Sequence, residues 1–291
     1  MQEAADNTEA IEAWDGVLYD RFVEFRDALV AGLGAHGEQA LRLYPVERGQ
    51  RVLDIGCGFG DTTQRLAGLV GPEGEAVGLD AAPRFIETAR EEAAAAAAEN
   101  VRFEVADIEQ GIPAAVGDGF DRVYSRMGTM FFAGPVPAMR HIRGVMEPGG
   151  LLTMVVWRLK QDNVFMYDAE RITERFLSHP DETDEPTCGP GPFSMANADT
   201  TTGVMQAAGF EDVTLTRCDI PMRQGETMDE ALTLVMGLGP AGELIRVNEE
   251  RGEELRPQIE AALRENLDKY LTRDGVYAMT STWIVAARNP A

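Results

Sequence analysis

The fold of this chain is decided by residues 52–60, which read VLDIGCGFG. The stretch begins within a short apolar strand, and three glycines (Gly56, Gly58 and Gly60) follow at alternate positions. Glycine adopts positive φ angles and lets a backbone approach a ligand closely. A helical pattern begins directly afterwards, and a helix N-terminus offers free N–H groups and a positive dipole end. The stretch therefore predicts a strand–turn–helix unit that binds an anionic or nucleotide-like ligand.

Strands and helices alternate regularly after this turn. Strands are predicted at 51–55, 76–79, 101–105, 120–124, 151–157, 213–218 and 277–287. Helices are predicted at 61–70, 83–99 and 136–146, after the first, second and fourth of these strands, and Pro83 lies in the first turn of the second helix. Such alternation predicts an α/β fold, namely a Rossmann-like, doubly wound, seven-stranded sheet with helical lid insertions. Ligands of such sheets bind outside the carboxyl ends of the strands, where this turn lies.

The remaining segments do not follow the alternation. Apolar residues at helical spacing over 9–32 predict an amphipathic helix ahead of the first strand, and prolines with an acidic cluster interrupt the pattern after residue 158. The predicted divisions are an N-terminal helical cap at 1–44, a cofactor-binding core at 45–157, a lid insertion at 158–199, and a C-terminal part of the core at 200–291 with a helical insertion at 227–271.

Composition excludes several classes of protein. The chain has 26 basic and 49 acidic residues, a net charge of −23, and no basic run longer than two residues. Phosphate backbones bind through clustered positive charge, so we expect no nucleic-acid partner. No apolar run approaches the roughly 20 residues that span a bilayer, and the acidic start lacks a signal-peptide core. We therefore expect a cytoplasmic protein with no membrane partner. The three cysteines form no CxxC pair, so neither a disulfide framework nor a metal site is predicted.

Acidic residues after the strands narrow the ligand. The dinucleotide fingerprint requires a third glycine where this chain has Asp61, and no phosphate-binding GxxxxGK[ST] motif is present. Asp80 ends the second predicted strand, where a carboxylate can accept both hydroxyls of a ribose. Asp107 and Ile108 follow the third strand and suit the edge and the face of an adenine. Asp54 either braces the turn or meets an amino group of the ligand.

These motifs together resemble the class I S-adenosylmethionine (SAM) dependent methyltransferases over about residues 45–220. VLDIGCGFG, EPGG at 147–150 and AGF at 208–210 carry the resemblance. YSRMGTMFF at 124–132, VWR at 156–158, GPFS at 191–194 and DGV at 274–276 are similar to a bacterial small-molecule branch near the ubiquinone/menaquinone-biosynthesis methyltransferases. The resemblance implies SAM as cofactor and a methyl transfer to an O, N or C atom of a small-molecule acceptor.

The resemblance also implies residue roles. The glycines would line the methionine part of SAM, and Ser125 would lie near the sulfonium. The predicted cofactor residues are Asp54, Gly56, Gly58, Gly60, Asp80, Ala81, Asp107, Ile108 and Ser125. The predicted acceptor-binding residues are Arg126, Met130, Phe131, Phe132, Trp157, Asn163, Phe193, Trp14 and Tyr19.

The sequence does not name a catalytic base. Three histidines, His36, His141 and His179, are candidates, but none follows a parallel strand. A non-catalytic SAM-binding sensor or scaffold remains the alternative function, and the protein is expected to be a monomer or a homodimer.

Overall fold

The computed structural model describes residues 7–179 and 190–291, and its centre is one mixed sheet. The order of the strands is β3-β2-β1-β4-β5-β8-β6, with the two-residue β7 paired to β8. The strands are β1 (Arg51–Ile55), β2 (Glu75–Asp80), β3 (Val101–Val105), β4 (Phe120–Arg126), β5 (Met146–Trp157), β6 (Glu211–Gly225), β7 (Leu271–Thr272) and β8 (Gly275–Arg288). β1 to β5 are parallel to one another, and β8 is antiparallel to both β5 and β6.

Helices cover both faces of this sheet. They are α1 (Thr8–Asp15), α2 (Val17–Glu24), α3 (Arg26–Leu43), α4 (Asp61–Val70), α5 (Pro83–Ala95), α6 (Pro135–Gly144), α7 (Val164–Thr173), α8 (Ala198–Ala208), α9 (Met228–Gly237), α10 (Gly239–Arg246) and α11 (Glu249–Leu267). One core cluster joins α3 and α4 to one face, and another joins α6 and α8 to the opposite face. The predicted Rossmann-like α/β fold is confirmed, with seven strands along the sheet and β7 as a short addition.

β6 and β8 continue past the carboxyl edge of the parallel strands. Trp157, the last residue of β5, pairs with Thr282 of β8, while β6 and β8 stay paired as far as Gly225 and Val276. Beyond that edge α7, α9, α10 and α11 pack into a separate apolar cluster that includes Val276. A helical body therefore lies beyond the carboxyl edge of the parallel strands, held there by the long antiparallel pair.

The N-terminal cap consists of three helices, whereas the sequence predicted one helix over residues 9–32. The helical conformation is interrupted at Gly16 and again at Phe25. The first break lets the Asp15 carboxylate accept the backbone N–H of Arg84 at 2.7 Å, in the first turn of α5. A contact distant in sequence thus sets the bend, and apolar spacing alone does not reveal it.

Two of the three cysteines, Cys57 and Cys218, are buried as free thiols, while Cys188 lies outside the described residues. None of the helices in the described ranges is long and apolar enough to cross a membrane.

Candidate active site at the carboxyl edge of the sheet

The glycine turn has the positive φ angles that its sequence predicts. Gly56, Gly58 and Gly60 have φ angles of 66°, 54° and 80°. A Cβ atom at Gly56 would lie 2.8 Å from the Cα atom of Gly128, which follows β4. A Cβ atom at Gly60 would lie 2.6 Å from the Phe103 ring. Close packing on two sides and positive φ both require glycine here.

Asp80 connects the turn to β2. Its Oδ2 accepts the backbone N–H of Gly58 at 2.9 Å, and its Oδ1 accepts the N–H of Ala82 at 3.0 Å. Burial raises the pKa of this carboxyl above its usual range, although these backbone N–H groups oppose the effect. Ala81 lies between the carboxylate and the start of α5. The predicted ribose carboxylate and the glycine turn thus form one hydrogen-bonded unit.

Asp54 and Ser125 tie β1 to its neighbours. The fully buried Asp54 carboxylate accepts the Thr63 hydroxyl of α4 at 2.7 Å. Burial raises the pKa of Asp54 to about 7, against the lowering effects of the Thr63 hydrogen bond and of the nearby Arg126 charge. The buried Ser125 hydroxyl donates to the carbonyl of Ile55 at 2.7 Å. Asp54 therefore braces the turn, and Ser125 has only its backbone left to face a ligand.

The loop after β3 holds a larger network than the sequence predicted. The Asp107 carboxylate accepts the side-chain amide of Asn7 at 3.1 Å, and the buried Glu109 accepts the same amide at 3.3 Å. Glu109 also accepts the backbone N–H of Ala133 at 2.9 Å, just before α6. Ile108 is buried beside them. The start of the N-terminal cap therefore contacts the loop predicted to hold adenine.

Arg26 is a residue that the sequence analysis missed. Its guanidinium contacts the Asp61 carboxylate at 2.9 Å and the Glu92 carboxylate at 2.7 Å, and it lies 4.3 Å from the centre of the Phe59 ring. Hydrogen bonding to Glu92 raises the pKa of Arg26. Arg26 thus joins α3 to the glycine turn and to α5. Asp61, which argued against a dinucleotide, has a structural partner.

A cluster of aromatic rings, here called the aromatic roof, covers the turn. Tyr19 packs edge-on against Phe59 and Phe85, and Trp14 packs edge-on against Phe131 at 4.9 Å between ring centres. The roof consists of Trp14, Tyr19, Phe22, Phe59, Phe85 and Phe131. Two predicted acceptor-side residues of the cap, Trp14 and Tyr19, are thereby brought to the cofactor turn.

The segment after β4 supplies the apolar side of the site. Phe131 and Phe132 are half-buried, and so is Phe193 of the segment that precedes α8. Met130 is almost fully buried, and its sulfur accepts the backbone N–H of Trp157 at 3.3 Å. The structure therefore brings these predicted residues together, but it uses the Met130 side chain inside the core.

Asn163 also has an internal role. Its side-chain oxygen accepts the backbone N–H of Ser281 at 2.7 Å, and its amide donates to the Ser281 carbonyl at 3.1 Å. This buried pair joins the start of α7 to β8, much as a neighbouring strand would. An acceptor could reach Asn163 only if these bonds were broken, so its position explains how the lid helix is anchored.

Two histidines have definable surroundings. His36 is fully buried between Thr280 and Thr282, with contacts of 2.7 and 2.9 Å, and burial lowers its pKa to about 4. The Thr280 hydroxyl donates to the Ile220 carbonyl, so the protonated nitrogen of a neutral His36 is Nε2. His141 Nδ1 lies 2.7 Å from the Ile108 carbonyl, on the inner side of α6 rather than facing outwards. Both contacts are structural.

His179 belongs to an acidic group at the C-terminal end of α7 and in the segment that follows it. Glu170, Glu174 and His179 offer ligand atoms within 4.8 Å of one another. The Lys160 ammonium already lies 2.6 Å from Glu170 and neutralises it. The group therefore looks like an ion-pair network, and it carries no proposal of a metal site.

Comparison with known proteins adds the deciding observation. Residues 46–183 match the family model described as a methyltransferase domain. The match covers 138 of the 291 residues, just under half of the chain, and makes this part of the chain similar to methyltransferases. The matched residues contain the glycine turn, Asp80, Asp107 and the whole segment after β4.

The chain is similar to two curated proteins. It is 32% identical over 154 residues to the aklanonic acid methyltransferase DauC of Streptomyces sp. strain C5, which covers 52% of this chain and 66% of that protein. It is 32% identical over 107 residues to the demethylmenaquinone methyltransferase of Staphylococcus aureus strain JH9, which covers 37% and 43%. The second match confirms the predicted resemblance to menaquinone-biosynthesis methyltransferases. The chain spans less than two thirds of the length of either relative.

A solved structure supports the fold. The YcgJ protein of Bacillus subtilis matches with a TM-score of 0.54 at 18% identity, over 89% of this chain and 98% of that chain. At this identity the similarity concerns the fold alone.

Proposed function

We propose that the protein transfers the methyl group of SAM to a small-molecule acceptor. The observation that carries this proposal is the hydrogen bond from the Gly58 N–H to Asp80 beneath the aromatic roof. This bond joins the turn to Asp80, the proposed ribose carboxylate. The rings of the roof pack the covering helices over the same turn. Two of the relatives are named for small-molecule substrates, aklanonic acid and demethylmenaquinone, and this supports the same class of acceptor.

The residues present fit the cofactor. Asp80 is partly exposed, and each carboxylate oxygen that already accepts one backbone N–H has a further lone pair for a ribose hydroxyl. We infer that Asp107 and Ile108, in the loop after β3, hold the adenine. A Cβ atom at Gly58 would meet only the Phe85 ring, at 3.9 Å, so the turn leaves space on its open side. SAM, when bound, supplies an electrophilic methyl group that the protein need not activate.

The acceptor would then lie against Phe131, Phe132, Trp157 and Phe193. A methyl transfer is an in-line displacement, so the contribution of these apolar side chains is to orient the acceptor and to exclude water. His36 is not placed to act as a base, because both of its ring nitrogens are bonded inside the core. We therefore propose that catalysis rests on positioning.

A transfer assay tests this function. The whole chain is incubated with SAM labelled in its methyl group, once with a low-molecular-weight cell extract and once with total RNA, while calorimetry measures the binding of SAM and of its demethylated product. We expect both nucleosides to bind, and we expect label to be transferred from SAM to another molecule of the low-molecular-weight extract. No binding at millimolar concentration would refute the proposal, and label in RNA alone would refute the acceptor class.

A further inference from the structure

Arg126, the last residue of β4, has no hydrogen bond or ion pair with any of the residues that the structure describes. Among the arginines and lysines of residues 7–179 and 190–291, the others that are shielded from solvent each have a hydrogen bond or an ion pair. Arg126 is half-buried and has neither. Arg48 and Arg175 also lack such bonds, but both are exposed to water. A guanidinium that loses part of its hydration without gaining an acceptor is costly, so its presence requires an explanation.

Helix α3 packs against this side chain. A Cβ atom at Gly34 would lie 3.7 Å from Nη1 of Arg126, which is an ordinary contact. A Cβ atom at Gly37 would lie 3.0 Å from the Tyr124 hydroxyl and 3.3 Å from Cδ of Arg126, so close packing against both residues gives Gly37 a reason to be glycine.

The neighbouring carboxylate does not neutralise Arg126. Asp54 is near enough for the arginine charge to act on it, but no carboxylate oxygen of the described residues lies within 4.0 Å of this guanidinium. The Asp54 carboxylate is instead bonded to Thr63. In a chain with 49 acidic residues and a net charge of −23, this arginine beside the glycine turn is left available for a ligand.

We infer that Arg126 binds a carboxylate of the bound ligands, which deepens the proposed function and rests on it. The guanidinium presents two parallel N–H groups that match a carboxylate, and such a bond is strong where water is partly excluded. Two molecules could bring the carboxylate: SAM, through its methionine part, or the acceptor. In either case the ligand supplies the anion that the protein does not.

The experiment uses the full chain and calorimetry in three forms: wild type, Arg126→Gln and the control Arg175→Gln, which removes an exposed, unpaired arginine. Each is titrated with SAM and with decarboxylated SAM, which lacks only the carboxylate. The complexes with demethylated SAM are then titrated with benzoate and with neutral benzamide. Thermal unfolding confirms that each variant folds, and Arg126→Met, which also removes the charge, replaces the glutamine variant if that one does not.

If the cofactor supplies the carboxylate, wild type binds SAM at least about tenfold more tightly than decarboxylated SAM, and Arg126→Gln abolishes the difference. If the acceptor supplies the carboxylate, SAM and decarboxylated SAM bind wild type with equal affinity. Benzoate then binds wild type but not Arg126→Gln. Neutral benzamide has the same affinity for both proteins. Equal affinities of wild type and Arg126→Gln for SAM and for benzoate overturn the inference. A wild type that binds no SAM at all refutes the proposed function instead.

Discussion

The two halves of the carboxyl edge are built by different means. In the cofactor half, at the ends of β1, β2 and β3, polar side chains bond to backbone groups of neighbouring turns, as Asp80 does with Gly58 and Ala82. In the acceptor half, at the ends of β4 and β5, apolar side chains from distant segments contact one another, as Trp14 does with Phe131. The cofactor half therefore depends mostly on short sequence motifs. The acceptor half depends on contacts between segments that are distant in sequence.

This difference predicts how each half responds to change. A substitution in the cofactor half disturbs a backbone conformation that the chain cannot replace, so its effect on SAM binding is direct. A substitution in the acceptor half alters packing, which neighbouring side chains partly repair. Three measurements test the contrast, from the largest expected effect to the smallest.

Gly60→Ala is expected to have the largest effect. The new Cβ would meet the Phe103 ring at 2.6 Å, with φ at 80°. Left-handed strain and overpacking together are expected to cost roughly 4 kcal/mol of unfolding free energy and to abolish SAM binding. Gly49→Ala is a matched control, because φ is 81° there and no atom lies within 4 Å of the added Cβ. It should cost only about 1–2 kcal/mol. Equal losses in urea unfolding would remove close packing as the cause.

His36→Gln tests the buried acceptor side through pH. The pKa of His36 falls from 6.5 in the unfolded chain to about 4 in the folded protein, because it is buried, and Asp219 opposes this only partly. Between these values the unfolded chain binds a proton that the folded protein does not, so stability falls as pH falls from 6.5 to 4. This site alone should remove roughly 3 kcal/mol.

The glutamine variant should lack that part of the pH dependence, since its amide can bond to both threonines without a charge. Urea unfolding from pH 4 to pH 7 measures the difference. The control is His179→Gln, at an exposed position, whose curve should follow wild type. Parallel curves for His36→Gln and wild type would show that His36 is not held neutral.

Asp80→Ala is expected to have the smallest effect on the free-energy scale. It removes a charge-assisted contact to the ribose, so SAM should bind at least about tenfold more weakly by calorimetry. Asp121→Ala is the control, because Asp121 also accepts a backbone N–H, that of Arg51 at 2.8 Å, but at the opposite end of the sheet. Equal losses of affinity in both variants would place the ribose elsewhere.

Some contacts of the site could be predicted from sequence patterns and others could not. The difference lies in how far apart in sequence the contacting residues are. Gly58 and Asp80 are 22 residues apart, yet adjacent parallel strands bring their ends together, so their proximity was predictable. Asn7 and Asp107 are 100 residues apart, and no periodicity connects them. Arg26 was missed for the same reason, because nothing in its neighbourhood shows that its partners are Asp61 and Glu92. The sequence analysis assigned Asn163 to the acceptor, because no local pattern reveals its bond to Ser281, which is 118 residues away.

The sequence by itself determined the alternation of strands and helices, the glycine turn and the class of cofactor, since each depends on residues close together or on strand ends that parallel pairing must align. Only the tertiary structure decided which side chains are buried and which are paired. It bent the N-terminal segment at Gly16, enclosed His36 within the core and left Arg126 without a hydrogen bond or ion pair to the described residues. Burial and pairing depend on contacts between distant segments, and the chain acquires these only when it folds.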